Sequence, residues 1–447
     1  MTALINIFVA LVLIFYCLKS ASSKGIWFSK HERLLVFLLM TGMFQTGGFT
    51  FYLNLSAWRL LIWICVLLFV LYLRKKPYYW KSAARAPLPI VLYVIFLAWC
   101  VYEWTRSPDL MYGLRAFLKI LYPFLVLLLA RNAALSENFF EYLKKMVLAT
   151  LIISVFRSGI SEKVPYLVYN PLLEGIFWPR ATFADHAPLV IAVIMILLVY
   201  GDLPGKSKKW YMAGLGWLTL SPLAVASRTG LLATFGVFSA FAVLKYKIKA
   251  VPFILLFFAA GVYLFTAVPS LKESTFYRAD SVTSQDIYER NITIDDIDSS
   301  GRFQMWEELL YRLYKGNKIQ GSGIGALQHH MYTYSEYYGG LKVPHSEYVS
   351  LLCDTGIVGF LLYLAVALSS LFSGIQNAWF GKSKEIKAAG GLVFMSWIGL
   401  LCAMGFDNVF NYTLAAHSIP FAFTGLMLGI MANGKSDTVS TKKQMIV

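Results

Sequence analysis

Charge is scarce in this chain: only 14% of its 447 residues are Asp, Glu, Lys or Arg. A soluble domain usually carries about 25%, so a soluble globular protein is excluded. Acids are the scarcer sign, 24 against 40 Lys and Arg. The resulting charge of +16 does not gather into a face for nucleic acid; it is scattered through short gaps between apolar runs. Cysteine is limited to Cys17, Cys65, Cys100, Cys353 and Cys402, all inside apolar runs. None has metal-ligand spacing, and they read as small buried hydrophobes. No internal repeat is visible, and no broken helices occur in paired positions, which speaks against a transporter built from repeats.

What the chain has in abundance is apolar sequence, 58% of its residues. Runs of roughly 18 residues recur, each long enough to cross the ~30 Å hydrocarbon core. Spans are expected near 4–19, 33–49, 56–73, 88–104, 114–130, 142–157, 185–200, 210–226, 228–245, 250–268, 348–372, 388–407 and 412–432. The first run has no basic segment before it and no small-residue cleavage site, so it reads as a retained helix. The expected fold is an all-α polytopic membrane protein with about 12–14 transmembrane helices. Residues 1–268 would hold ten of these helices, 269–347 one large periplasmic loop, and 348–447 the C-terminal helices and a cytoplasmic tail.

Basic residues orient the spans. Clusters fall in every second gap, among them Arg74/Lys75/Lys76, Lys206/Lys208/Lys209, Lys245/Lys247/Lys249 and Lys382/Lys384/Lys387. The positive-inside rule assigns them to the cytoplasm. The gap at 44–55 carries no charge, and the loop at 269–347 has more acids than bases, so these lie on the opposite face. Within that loop, Trp306, Leu309, Leu310, Leu313 and Tyr314 recur at helical spacing between Arg302 and Gly316. That pattern predicts an amphipathic helix on the membrane surface or capping the bundle. Gly321-Ser-Gly-Ile-Gly325 then reads as a flexible turn; with no strand before it and no Lys-Ser/Thr after it, it is not a phosphate loop.

Ionisable residues at the ends of spans are the candidates for chemistry, because an Arg at mid-bilayer costs at least ~2.5–3.5 kcal/mol. Arg180 precedes the span at 185–200, Arg228 lies between two apolar runs with almost no gap, and Arg302 begins the loop helix. Pro344-His345-Ser346-Glu347-Tyr348 runs straight into the span at 348–372. Each has a structural alternative. The arginines could snorkel to headgroups, or Arg302 could pair with Asp298 or Glu307, and His345 could cap its helix. The chemical possibility is sharper. Arginine's planar fork suits a pyrophosphate. Histidine, titrating near neutrality, suits the removal of a proton from a hydroxyl. Glu347 could support the histidine, although two residues apart on a helix the side chains diverge. Asp295-Asp-Ile-Asp298 is either a solvated acidic turn or a binder of a divalent cation.

These residues carry a resemblance. The chain resembles the O-antigen ligase/polymerase superfamily in Arg180-Ala-Thr-Phe-Ala-Asp-His-Ala-Pro188, Ser227-Arg-Thr-Gly230, Gly301-Arg-Phe-Gln-Met-Trp306 and His345-Ser-Glu-Tyr348, the last followed by Gly356-Ile-Val-Gly359. The resemblance covers roughly residues 178–372 and departs from the ligases at Ser346, where Asn is frequent. It implies a membrane-embedded, inverting glycosyltransferase without metal or other cofactor. The donor would be a glycan on undecaprenyl pyrophosphate, and the site would face the periplasm from the bacterial inner membrane. Arg228 and Arg302, assisted by Arg180, would hold the pyrophosphate, and His345 would be the general base. The acceptor would be a lipid-linked repeat unit for a polymerase, or lipid A–core for a ligase, with polymerase favoured. Membrane lipid is an implied partner, and a chain-length regulator protein is among those the resemblance allows. Protein O-oligosaccharyltransferases share the motif. Outside the family, a lipid-glycan flippase is the competing class.

Overall fold

A computed structural model describes residues 87–132, 139–161, 180–224, 227–267, 302–338, 341–412 and 416–444. The expected spans near 4–19, 33–49 and 56–73 lie outside the described residues, as does Asp295-Asp-Ile-Asp298. The chain is all-α: among the described residues there is no strand. In order the helices are α1 (Leu88–Thr105), α2 (Leu110–Asn132), α3 (Phe139–Ser161), α4 (Arg180–Tyr200), α5 (Gly205–Ala224), α6 (Arg228–Tyr246), α7 (Val251–Ala267), α8 (Arg302–Leu309), α9 (Ala326–Thr333), α10 (Glu347–Phe380), α11 (Lys384–Met404) and α12 (Ser418–Gln444). The ten expected spans from 88–104 onward each fall on one of them. Four are long and apolar enough to cross a membrane by length and composition: α1, Leu110–Arg131 of α2, α10 and α11. His186–Tyr200 and Ser418–Ala432 are shorter apolar segments. The chain is a multi-pass membrane protein.

Helix starts are written in serine. Ser227, Ser346 and Ser383 are the N-caps of α6, α10 and α11, each accepting a hydrogen bond from the backbone N–H three residues on. Such a cap contributes roughly 1 kcal/mol by satisfying an orphan donor. Helix α11 is the hub, packed against α4, α6, α10 and α12. Close approach replaces the hydrophobic drive that lipid cannot supply. On α12, a Cβ on Gly425 would sit 2.2 Å from the Leu127 carbonyl oxygen, and one on Gly429 would sit 2.3 Å from that of Arg131. These glycines, four residues apart, let α12 lie backbone-to-backbone on α2.

Helix α10 is broken where it matters. Gly356 has φ +64° and ψ −171° inside the helix. The break frees backbone groups that the interior of a membrane protein must satisfy from elsewhere. Residues 318–322 do so: Ile357 N–H donates to Lys318 O (2.8 Å), Val358 N–H to Ile319 O (3.3 Å), and Ser322 N–H to Cys353 O (2.8 Å). Trp99 Nε1 donates to Thr355 O (3.0 Å).

The glycine-rich segment is therefore a docking element and not the flexible turn its composition suggests. Gly321, Gly323 and Gly325 all have positive φ. The segment runs over backbone: Gly321 lies against residues 354–356, and Gly325 against Tyr112 and Gly113. The amphipathic helix expected from Arg302 is present as α8, continued by a π-turn at Leu310–Tyr314. It caps the bundle: Met305 and Leu309 bury against Val349 and Cys353 of α10, with Leu327, Met331 and Tyr338 of the same lobe. The lobe at 302–344 is thus fixed to the N-terminal half of α10.

Candidate active site

The start of α6, the start of α10, the end of α11 and the 302–344 lobe meet at one end of the bundle. Their meeting point is the turn after α11, Gly405-Phe406-Asp407-Asn408. Phe406 and Asp407 both donate their N–H to Ala403 O, and Asp407 Oδ1 accepts the Asn408 N–H at 2.7 Å. This tight turn presents one carbonyl and two side chains. Phe406 O accepts from Arg302 Nη1 at 3.3 Å and from Thr229 Oγ1 at 3.5 Å. Thr229 follows Arg228, the first residue of α6. Arg228 and Arg302 are thereby anchored to the same turn, and both are half-buried. Arg302 reaches Phe406 O, and Asp298, one of the two acids the sequence offered it, lies outside the described residues.

His345 stands on the other side of that turn. It is not the cap of α10, a role that Ser346 fills. It sits one residue before the cap with φ +54°, in the left-handed region that a histidine seldom adopts. Two contacts hold this backbone: Trp306 Nε1 donates to Pro344 O at 2.6 Å, and the His345 N–H donates to Asn408 Oδ1 at 3.0 Å. The second contact fixes which way the Asn408 amide faces. Its Nδ2 then lies 3.0 Å from His345 Nδ1 and donates to it. In this arrangement a neutral ring carries its proton on Nε2. Asp407 Oδ1 lies 3.7 Å from the same Nδ1, with the histidine side chain 26% exposed and the aspartate 12%. A charge-assisted N–H···O bond is about 2.7–2.9 Å long. A ring shift of about 1 Å would therefore transfer Nδ1 from Asn408 to Asp407 and put its proton there, freeing Nε2 as a base.

Glu347 belongs to a different part of the site. Its buried carboxyl group accepts the Phe410 N–H at 2.8 Å through Oε1, and it lines a cavity behind the turn. Asn408 and Asp407 lie beside the imidazole, whereas Glu347 holds the Phe410 backbone. Asp354, two helical turns beyond Glu347, accepts the Gly325 and Leu327 N–H groups at 2.9 and 2.8 Å. It thereby caps α9 from α10. Helix α4 begins at Arg180, and the surroundings of the Arg180 side chain lie outside the described residues.

Sequence reasoning missed Asp407 and Asn408. The expected span at 388–407 absorbed the first, and the second fell in a gap read as uncharged. The available signal was an Asp-Asn pair at the end of a long apolar run, where an acid is costly unless it is used.

Residues 213–364 match the family model described as O-antigen ligase. A search of curated proteins returned no match. The matched segment runs from within α5 into α10 and includes Arg228, Arg302, His345, Glu347 and Asp354. That match supports assigning the chain to the O-antigen ligase/polymerase superfamily of glycosyltransferases, with ligase and polymerase not distinguished.

Proposed function

We propose that this protein is an inverting, metal-independent glycosyltransferase that polymerises O-antigen or a related surface glycan. It works at the periplasmic face of the bacterial inner membrane. The donor is a glycan on undecaprenyl pyrophosphate and the acceptor a lipid-linked repeat unit. Arg228 and Arg302 bind the pyrophosphate, with Arg180 assisting, and His345 is the general base. The observation that carries this is the turn at 406–408, which gathers Arg302 and the neighbour of Arg228 on one carbonyl and His345 on the adjacent side chains.

The chemistry follows from the groups. His345 Nε2 takes the proton of an acceptor hydroxyl, whose oxygen bonds to the anomeric carbon from the face opposite the leaving group. The bond from that carbon to the pyrophosphate oxygen breaks, and its electron pair leaves with the phosphate. Pyrophosphate is a good leaving group, and fixed guanidinium forks stabilise the charge as it develops. Asp407, accepting a hydrogen bond from Nδ1–H and staying ionised, stabilises the imidazolium. A positioned general base contributes about 10²–10⁴-fold.

Polymerase is favoured over ligase because His345-Ser346-Glu347-Tyr348 is more similar to the polymerase side of the superfamily. Purified protein given labelled donor, with lipid-linked repeat unit or lipid A–core as the only acceptor, tests the choice. Elongation of the repeat with release of undecaprenyl pyrophosphate is expected. Transfer to core alone would make it a ligase. No release with either acceptor would refute the glycosyltransferase function.

A further inference from the structure

The opposite end of the bundle carries a second constellation. Helix α6 starts beside the 406–408 turn and α11 ends at it, with 19 and 21 residues. At ~1.5 Å per residue their other ends lie about 30 Å away. There the turns at 201–209, 245–250 and 380–387 hold nine lysines against two acids, Asp202 and Glu385. Contacts draw these turns together. Trp379 Nε1 donates to Leu244 O at 3.2 Å, and Lys247 Nζ lies 5.6 Å from the centre of the Trp379 ring. Lys384 pairs with Asp202 and lies 5.6 Å from the centre of the Phe140 ring, so one of the two acids is already matched. The frame beneath is tight: a Cβ on Gly390 of α11 would sit 2.5 Å from the backbone nitrogen of Ala378 in α10. Lys247 has φ +52°, at the start of a 3-10 turn over Lys247–Ala250. A residue with a side chain holds that backbone only where its surroundings impose it. Orienting the helices requires basic residues at this end. It does not require the turns to be tied together around Trp379.

Apolar side chains stand open beside these lysines. Trp210, Ile248 and Phe380 are 76%, 81% and 73% exposed, and each lies within two residues of a lysine. Phe380 ends a stripe of exposed residues along α10, with Leu361, Leu368 and Phe372 at helical spacing. That helix is long and apolar enough to cross the membrane, so a ligand on the stripe comes from the membrane. A free phosphate would use the lysines and leave the stripe bare. A neutral lipid would use the stripe and leave the charge unmatched. A soluble acidic protein would not reach the stripe. An anionic phospholipid matches both, and each lysine near an anionic headgroup contributes about fivefold in affinity.

We propose that the turn between α10 and α11, with the α6–α7 turn beside it, is a binding site for an anionic phospholipid. The headgroup phosphate lies among Lys247, Lys249 and Lys382, and an acyl chain follows the α10 stripe past Phe380. The inference is independent of the chemistry at His345. The test titrates the purified protein in maltoside micelles with dioleoyl phosphatidylglycerol or dioleoyl phosphatidylcholine and counts bound lipid by native mass spectrometry. At about 0.15 M salt, phosphatidylglycerol should bind at least tenfold tighter than phosphatidylcholine. Replacing the three lysines together (Lys247→Gln, Lys249→Gln, Lys382→Gln) should weaken phosphatidylglycerol about 20- to 150-fold and leave phosphatidylcholine unchanged. The same three positions changed to Arg should keep the preference. The readout is the ratio of the two affinities within each protein, so a general loss of stability does not enter it. Equal affinities in the parent, or an undiminished ratio in the Gln variant, would overturn the site. Complete displacement of phosphatidylglycerol by excess inorganic phosphate would also overturn it, marking an anion site that ignores the acyl chains.

Discussion

Asp407→Asn is the most informative single substitution. Asparagine keeps the oxygen that accepts the Asn408 N–H at 2.7 Å, so the turn should survive. What is lost is the negative charge 3.7 Å from His345 Nδ1. Two unit charges about 4 Å apart interact by about 4 kcal/mol at an effective dielectric of ~20. Solvent reaches a quarter of the histidine side chain, which reduces the loss to about 2–4 kcal/mol. At 1.36 kcal/mol per tenfold, transfer should slow by about 30- to 1,000-fold. The loss should appear in kcat, because the imidazolium forms only as the hydroxyl proton is taken. The assay is single-turnover transfer from a lipid-linked donor at saturating acceptor. A second readout is the ¹⁵N spectrum of the labelled histidine, which distinguishes Nδ1–H from Nε2–H rings. Asp407→Asn should hold the ring in the Nε2–H form imposed by Asn408. Wild-type turnover in Asp407→Asn would refute the transfer of the ring to Asp407.

Gly356→Ala would place a Cβ 2.3 Å from the Ile319 carbonyl oxygen and force a backbone conformation reserved for glycine. Strain of ~1–3 kcal/mol and weakened hydrogen bonds to residues 318–322 should together destabilise the docked lobe by about 3–7 kcal/mol, measurable by denaturation in detergent. Arg302→Lys retains charge but not the fork and should reduce kcat/KM by about tenfold or more, measured as donor turnover; full activity would leave Arg302 a structural role. His330, bonded to the Tyr338 hydroxyl, is held below the ordinary histidine value by burial and then by Arg312. Glu308 and His329 also act on this ring. The folded lobe therefore disfavours the proton, and the unfolded chain binds more of it below about pH 6.5. Stability from this group is complete above that pH and lost as pH falls below it. Amide exchange in α9, corrected for intrinsic rates, should accelerate from about pH 7.5 to about pH 5.5, and His330→Phe should flatten the trend.

The helices were legible because their physics is local. Apolar length sets the spans, while the caps at Ser227, Ser346 and Ser383 emerge only with the structure. His345, Arg228 and Arg302 were legible as costly groups at the ends of apolar runs. Their convergence was not, because it depends on a turn about 60 residues beyond His345 that sits between two apolar runs. The glycines at 321, 323 and 325 were visible as punctuation. Their true function, satisfying the broken backbone of α10, needs a partner segment that no local pattern announces. Glu347, which helix spacing in the sequence already turns away from His345, reaches the Phe410 amide.

The most direct test of the central claim is the transfer rate of His345→Ala, purified, with lipid-linked donor and acceptor. The His345 N–H contact to Asn408 is made by backbone, so the turn can persist and the melting temperature should stay near the parent's. The prediction is a fall of about 10²–10⁴-fold in kcat with donor binding retained. Transfer at the parental rate by a folded His345→Ala protein would contradict a general base at this position.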